Sequence, residues 1–236
     1  MLTFLRQIRR SIVGKGSARN YIFYAIGEIA LVVFGILIAL QINNWDQENR
    51  YRELERRHLE NTVQQLLLDK ETLRSELNYN SLLTSHFLNA KRIIGQNQLS
   101  EKDSLGRMAL YLTEHTDFRR KSDVYQSHVS SGEIKHLRSL EIRTALQVLE
   151  ETYQYINRLE DSHNDVILEL VGSQLIVPLR LDPLEVKQPE VLFDYKFENL
   201  FSIALDLIAE EDGLYHQAIS EIDQTIEVIV EYLETL

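Results

Sequence analysis

The chain has 236 residues, a net charge of −11, 44% hydrophobic and 26% charged residues, 9 Gly, 3 Pro and no Cys. So few turn-forming residues argue against a β-sandwich, and the missing cysteines exclude disulfides, thiolate metal sites and cysteine nucleophiles. Beyond residue 44 the chain holds 20 basic and 35 acidic residues, a net −15, a poor match to nucleic acid, which needs basic surface to neutralise phosphate.

Residues 1–20 carry five basic groups, Arg6, Arg9, Arg10, Lys15 and Arg19, and no acidic one. Leu2, Leu5, Ile8 and Ile12 share one helical face while the basic groups fall largely elsewhere, the pattern of an interfacial helix on an anionic leaflet. Tyr21–Leu40 then runs for twenty residues with one charge. A helix of that length spans about 30 Å at ~1.5 Å per residue, the thickness of a bilayer's hydrocarbon core. Tyr21, Phe23 and Tyr24 at one end and Trp45 at the other stand where interfacial anchors belong, with Arg9 and Arg10 as headgroup contacts. The apolar run is longer than a signal-peptide core and leads into Gln41-Ile42-Asn43-Asn44-Trp45 rather than a small-x-small cleavage site, so the reading is an uncleaved transmembrane helix over 21–45. Five basic residues precede the span and four, Arg50, Arg52, Arg56 and Arg57, follow it closely. That bias and the basic amphipathic start orient the N-terminus to the cytoplasm and the remainder outside.

The stretch YAIGEIALVVFGILIALQINNW, residues 24–45 behind a basic start, resembles a group of uncharacterised bacterial membrane proteins that share this signature. A later stretch, Tyr125-Gln126-Ser127-His128-Val129-Ser130-Ser131-Gly132-Glu133-Ile134, is similar to a recurrent element of the same group. The resemblance implies a single-pass, mostly helical protein of a bacterial inner membrane, and brings no activity, substrate or catalytic residue.

Glu28 is the one charge in the span. A carboxylate in hydrocarbon costs ~2.5–3.5 kcal/mol on insertion scales, and Glu28 lies about 10 Å inside Tyr21 by helical rise. Glu28, Gly35 and Ile42 are spaced by seven and share a face with Leu31, Val32, Ile38 and Ala39; Gly27 adjoins it. Small residues at such spacing let helix backbones approach in lipid, where polar side chains bond across the contact. One reading is therefore a helix-association face built on Gly27, Glu28, Gly35 and Ala39. The other is an ion or proton pathway, in which Gln41, Asn43 and Asn44 extend a polar track from Glu28.

After Trp45 the pattern becomes amphipathic. Leu59, Val63, Leu66, Leu73 and Leu77 keep helical spacing with no Pro or Gly before Gly95, so one helix is predicted from the span to about Ile94, ended by Gly95-Gln96-Asn97-Gln98. Tyr51-Arg52-Glu53-Leu54-Glu55-Arg56-Arg57, just past the span, reads as an i, i+3/i+4 ion-pair lattice or as headgroup contacts for Arg52 and Arg56. Ser100 opens a shorter helix to about Glu114. Ser122 or Asp123 caps a further short helix closed by Ser130-Ser131-Gly132. A long helix is expected from about Ser139 to Val177, followed by an irregular connection over about 178–192 at Pro178, Pro183 and Pro189. The last helix carries Tyr215, Ile219, Ile222, Ile226, Ile229, Leu233 and Leu236 at alternating spacings of four and three, with acidic residues on the other faces.

Catalytic patterns are missing. There is no Walker or dinucleotide glycine loop, no GxSxG elbow and no HExxH. The densest polar knot, Asp161-Ser162-His163-Asn164-Asp165, offers Asp161 and His163 to a cation but reads better as a solvated helical face or local turn, and the acidic pairs Glu150-Glu151 and Glu210-Glu211-Asp212 read as solvated charges. The expectation is an all-α protein in which one N-terminal transmembrane helix continues into a long helix and a helical domain over 46–236. It is non-enzymatic and without cofactor or metal, and it meets the lipid bilayer and a second copy of itself or a membrane partner through the span. The alternative is an oligomeric conductor of ions or protons using Glu28.

Overall fold

The computed structural model describes residues 18–119 and 137–236, with side chains from Ile22 onward. The expected N-terminal amphipathic segment with Arg9 and Arg10, the side chain of Tyr21, and the short helix between Ser122 and Gly132 therefore lie outside the described residues, together with the Tyr125–Ile134 motif. Contacts divide the chain into two units, Met1–Leu54 and Glu55–Leu236. The first helix, α1, Ala18–Gly95, contributes to both.

In the first unit, the apolar part of α1 is exposed except for the half-buried Tyr24, Ala25 and Ala30, and among the described residues nothing buries its most apolar eighteen-residue window. Polar residues resume past Trp45 with two i, i+4 ion pairs, Asp46–Arg50 at 2.8 Å and Glu48–Arg52 at 3.3 Å. Arg52 thus pairs with Glu48, a residue before the cluster at residues 51–57, a stabilisation of a few tenths of a kcal/mol per pair in an exposed helix.

The second unit is built on three long helices. After α1 come a 3₁₀ turn at Leu99–Glu101, α2 at Lys102–Leu110 and a second 3₁₀ turn at Tyr111–Thr113. α3 covers Leu140–Val166 and widens into a π-helical turn at Ile167–Val171 before the short α4, Gly172–Leu175. A strand pair, β1 Leu179–Leu181 and β2 Leu184–Val186, leads to α5, Pro189–Leu192, and the 41-residue α6, Tyr195–Thr235. The start of α3 and the end of α6 both reach the same point on α1: Glu55 Oε1 accepts from the Arg138 backbone N–H at 2.9 Å and from the Tyr232 hydroxyl at 3.1 Å. At the other end, Phe87 of α1 meets Phe201 of α6 with centroids 5.6 Å apart, and Ile167 and Val171 share a core with Leu83–Ile94. α1 and α3 therefore run parallel and α6 runs antiparallel to both. This is the bundle read from the sequence.

Heptad positions explain the packing. Leu59, Leu66 and Leu73 of α1, Ile142, Leu149 and Ile156 of α3, and Tyr215, Ile222 and Ile229 of α6 are all buried together. Full burial of such a side chain is worth about 1.5–3 kcal/mol. The second cluster gathers Phe87, Leu105, Val171, Leu192, Phe197 and Phe201 at the far end.

The helix ends follow local chemistry. α1 stops where Asn97 takes a left-handed φ of 49°, a conformation asparagine tolerates. Asn97 N–H then donates to Ile94 O at 2.9 Å and Gln98 N–H to Ile93 O at 3.1 Å, closing the orphan carbonyls in a Schellman pattern. Ser139 caps α3 by accepting from Ile142 N–H at 3.2 Å, and Asp194 caps α6 by accepting from Lys196 N–H at 2.8 Å. Three departures from the sequence reading stand out. The helix from Ser139 is regular only to Val166, its widened turn spans Ile167–Val171, and helical structure ends with α4 at Leu175 rather than Val177. The connection over 178–192 contains an antiparallel pair in which Leu179 faces Val186. The stretch from Ser100 to Glu114 is α-helical only over Lys102–Leu110, with 3₁₀ turns on either side. Leu179 and Val186 pack on α2, where a Cβ on Gly106 would stand 2.7 Å from Val186 Cγ2. Only glycine admits the hairpin that closely.

Candidate functional site

Two groups of residues break the rules of an ordinary helical protein, one in each unit. In the first unit, Glu28, Gly35, Ala39, Gln41, Asn43, Asn44 and Trp45 are all exposed, and Tyr24 is half-buried. Among the described residues, a Cβ added at Gly27 or Gly35 would meet nothing within 4 Å, so neither glycine is required by packing against them. Helical periodicity places Glu28, Gly35, Ala39 and Ile42 on one face, as the spacing predicts.

The second group is a buried polar string in the bundle. Glu160 and His163 come from α3, Glu211 and Tyr215 from α6, and Thr116 and Phe118 from the segment after α2. All six are buried, with exposures of 4% at Glu160, 2% at His163 and 1% at Glu211. His163 Nδ1 lies 2.6 Å from Glu211 Oε1. Thr116 Oγ1 donates to Glu211 Oε2 at 3.2 Å, and Tyr215 Oη lies 2.7 Å from Thr116 Oγ1. The Tyr215 hydroxyl also meets Glu160 Oε1, which accepts from the Phe118 backbone N–H at 2.9 Å. The His115 ring stands 5.8 Å from that of His163. Alongside, Asn80 of α1, fully buried, donates to Asp212 Oδ1 at 2.9 Å, while its own Oδ1 has no partner among the described residues.

Burial sets the protonation of this group. Removal from water, opposed by the bonds from Tyr215 and Phe118 and reinforced by the charges of Glu211 and Asp117, leaves the Glu160 carboxyl raised to about 7. Burial, then the Glu160 charge, holds the Tyr215 phenol far above its usual range. Asp212 is raised by burial, opposed by the bond from Asn80. Among the described residues, no three His, Asp or Glu side chains converge in a way that would hold a metal ion.

His163 and Glu211 correct the sequence reading, since both were expected on solvated faces; Glu150 is buried as well, accepting from Gln154 at 3.0 Å. A signal was present. Leu149, Tyr153, Ile156, Glu160, His163 and Ile167 follow the same alternating four-and-three spacing as the core of α3, and Ala204, Ile208, Glu211, Tyr215 and Ala218 do so in α6. Charged residues in an apolar register mark a buried site. The partners from Thr116 and Phe118 carry no such periodicity.

The family-level comparison covers both groups in part, matching residues 28–207 to a family of unknown function. The chain belongs to DUF6090. The DUF6090 match begins at Glu28 and takes in Gly35, Ala39, Thr116, Glu160 and His163, while Glu211 and Tyr215 lie past its end. No curated protein and no solved structure matches the chain.

Proposed function

We propose that this DUF6090 member is a non-enzymatic, single-pass protein of a bacterial inner membrane. It assembles through the Glu28–Gly35–Ala39 face of its span and presents the helical bundle, outside the cytoplasm, to a partner. The observation that carries this reading is the uncovered apolar segment of α1, long enough to cross a bilayer, with two glycines that no packing among the described residues requires. In lipid, apolar surface alone does not drive helices together; close backbone approach and an interhelical bond do. Glu28 beside Gly27 and Gly35 supplies both. Burying Glu28 against a second helix also removes most of the cost of leaving a carboxylate among acyl chains.

The cysteine-free sequence makes the test direct. Single cysteines at Gly35 and Ala39 should form disulfide-linked dimers in native membranes on mild oxidation, whereas Val33→Cys and Leu37→Cys, on the opposite face by helical periodicity, should not. Equal cross-linking at all four positions, or none at any, would remove the proposed face.

A further inference from the structure

The buried string has one proton fewer than its geometry needs unless a carboxyl supplies it. Four side-chain contacts run in sequence: His163 to Glu211, Glu211 to Thr116, Thr116 to Tyr215, and Tyr215 to Glu160. Each needs one hydrogen between its heavy atoms. The imidazole, the threonine hydroxyl and the phenol supply three. With Glu160 as the neutral acid every contact is filled in one direction: Glu160 donates to Tyr215, Tyr215 to Thr116, and Thr116 to Glu211, which also takes the bond from His163. With Glu160 ionised, Tyr215 turns to Glu160, and Thr116 can serve Tyr215 or Glu211 but not both.

We propose that this string binds one dissociable proton and acts as a latch: loaded, it holds the Thr116–Phe118 segment against α3 and α6; unloaded, it loses one link and releases that segment. The two ends of the string differ in what they grip. Thr116 is the middle of the string and is the group that proton loss leaves one hydrogen short, and Asp117 on the same segment then faces a new negative charge at Glu160; of the segment's links only the Phe118 backbone N–H bond to Glu160 is strengthened by ionisation. Phe118, 1% exposed, is otherwise held by its ring, 5.2 Å from that of Tyr153.

Groups from every packed element face the string, and the two charges that act on Glu160 favour the loaded form. From the segment come His115 and Asp117, the latter paired with Arg119 at 2.8 Å. From α6 come Glu211 and Asp212, with His216 acting on Asp212. α1 brings Asn80 and Glu76, whose carboxyl is raised by burial and by Asp117. The charges acting on Glu160 are those of Glu211 and Asp117, both carboxylates, so ionising Glu160 adds a negative charge beside two others. Its titration near neutral pH puts the latch within reach of ordinary changes in acidity.

The test uses hydrogen exchange of the full chain in detergent, following residues 114–119 and correcting for the intrinsic rate. Between about pH 5.5 and about pH 8.5, protection in the wild type should fall roughly ten- to thirtyfold, since each pH unit above the titration is about tenfold in population. Glu160→Gln, whose amide donates to Tyr215 at any pH, should stay protected throughout. In parallel, the infrared carbonyl band of a buried neutral carboxyl should vanish from the wild type with the same midpoint, a readout that needs no variant to fold. Wild-type protection that is flat with pH, a Glu160→Gln protein that follows the wild-type curve, or a missing carboxyl band would each overturn the latch.

Discussion

Replacing Tyr215 by Phe removes one oxygen from the interior and leaves everything else in place, so the loss can be worked out from its neighbours. The side chain is fully buried, and its ring is part of the core with Leu149 and Ile222; that packing is unchanged in phenylalanine. The hydroxyl has two contacts, Thr116 at 2.7 Å and Glu160. Without it, Glu160 keeps only the Phe118 N–H and Thr116 keeps only Glu211. A buried polar group that loses a partner costs about 1–3 kcal/mol, and removal of the phenol's own desolvation returns part of that. The expected net loss is about 2–4 kcal/mol. Urea unfolding of the full chain in detergent, followed by circular dichroism near pH 6, measures it as a lower midpoint with an unchanged slope. Tyr155→Phe, at an exposed site where the ring carries the Arg158 guanidinium 5.6 Å from its centroid, should change stability by under ~0.5 kcal/mol. Equal small effects at both positions would refute the idea that the Tyr215 hydroxyl joins a satisfied network.

The body should lose stability as pH rises between about 4.5 and about 7, because Glu160 is neutral in the folded state and already ionised when unfolded. Its share is present in full below the unfolded value and gone above the folded one, on the order of 3 kcal/mol at most. Glu160→Gln should flatten that limb of a stability–pH curve, and an unchanged limb would place the proton elsewhere. Gly106→Val should destabilise the bundle by about 1–3 kcal/mol through overpacking, because its first side-chain atom would meet Val186 Cγ2 at 2.7 Å; a neutral melting temperature would contradict the hairpin's docking on α2.

Long periodic stretches were legible because their burial obeys one period. α6 carries its apolar seam without a break, and Leu59, Leu66 and Leu73 keep strict sevens, so the bundle and its all-α class follow from spacing. The start of the long helix at about Ser139 was readable as well, and the structure adds that this serine accepts from the Ile142 N–H of the first turn. The hairpin was harder. Its strands are three residues each and owe their pairing to docking on Gly106, a contact made across the fold. The π-helical turn at Ile167–Val171 has no composition cue, since one added residue in a turn leaves the apolar count unchanged. The polar string was half visible: Glu160, His163 and Glu211 sit in core register, but a charged residue on an amphipathic helix is ordinarily solvated, and the Thr116 and Phe118 that satisfy them come from an aperiodic segment.

The most direct measurement for the account as a whole is native mass of the wild type and Gly35→Leu released from lipid nanodiscs. Among the described residues, space around Gly35 is open, so leucine leaves the fold of a single copy intact and acts only on what meets that face. The account predicts a defined oligomer for the wild type and a shift toward monomer for Gly35→Leu, with identical helical content. A wild type that is monomeric in lipid, or that stays in solution without lipid or detergent, would contradict it.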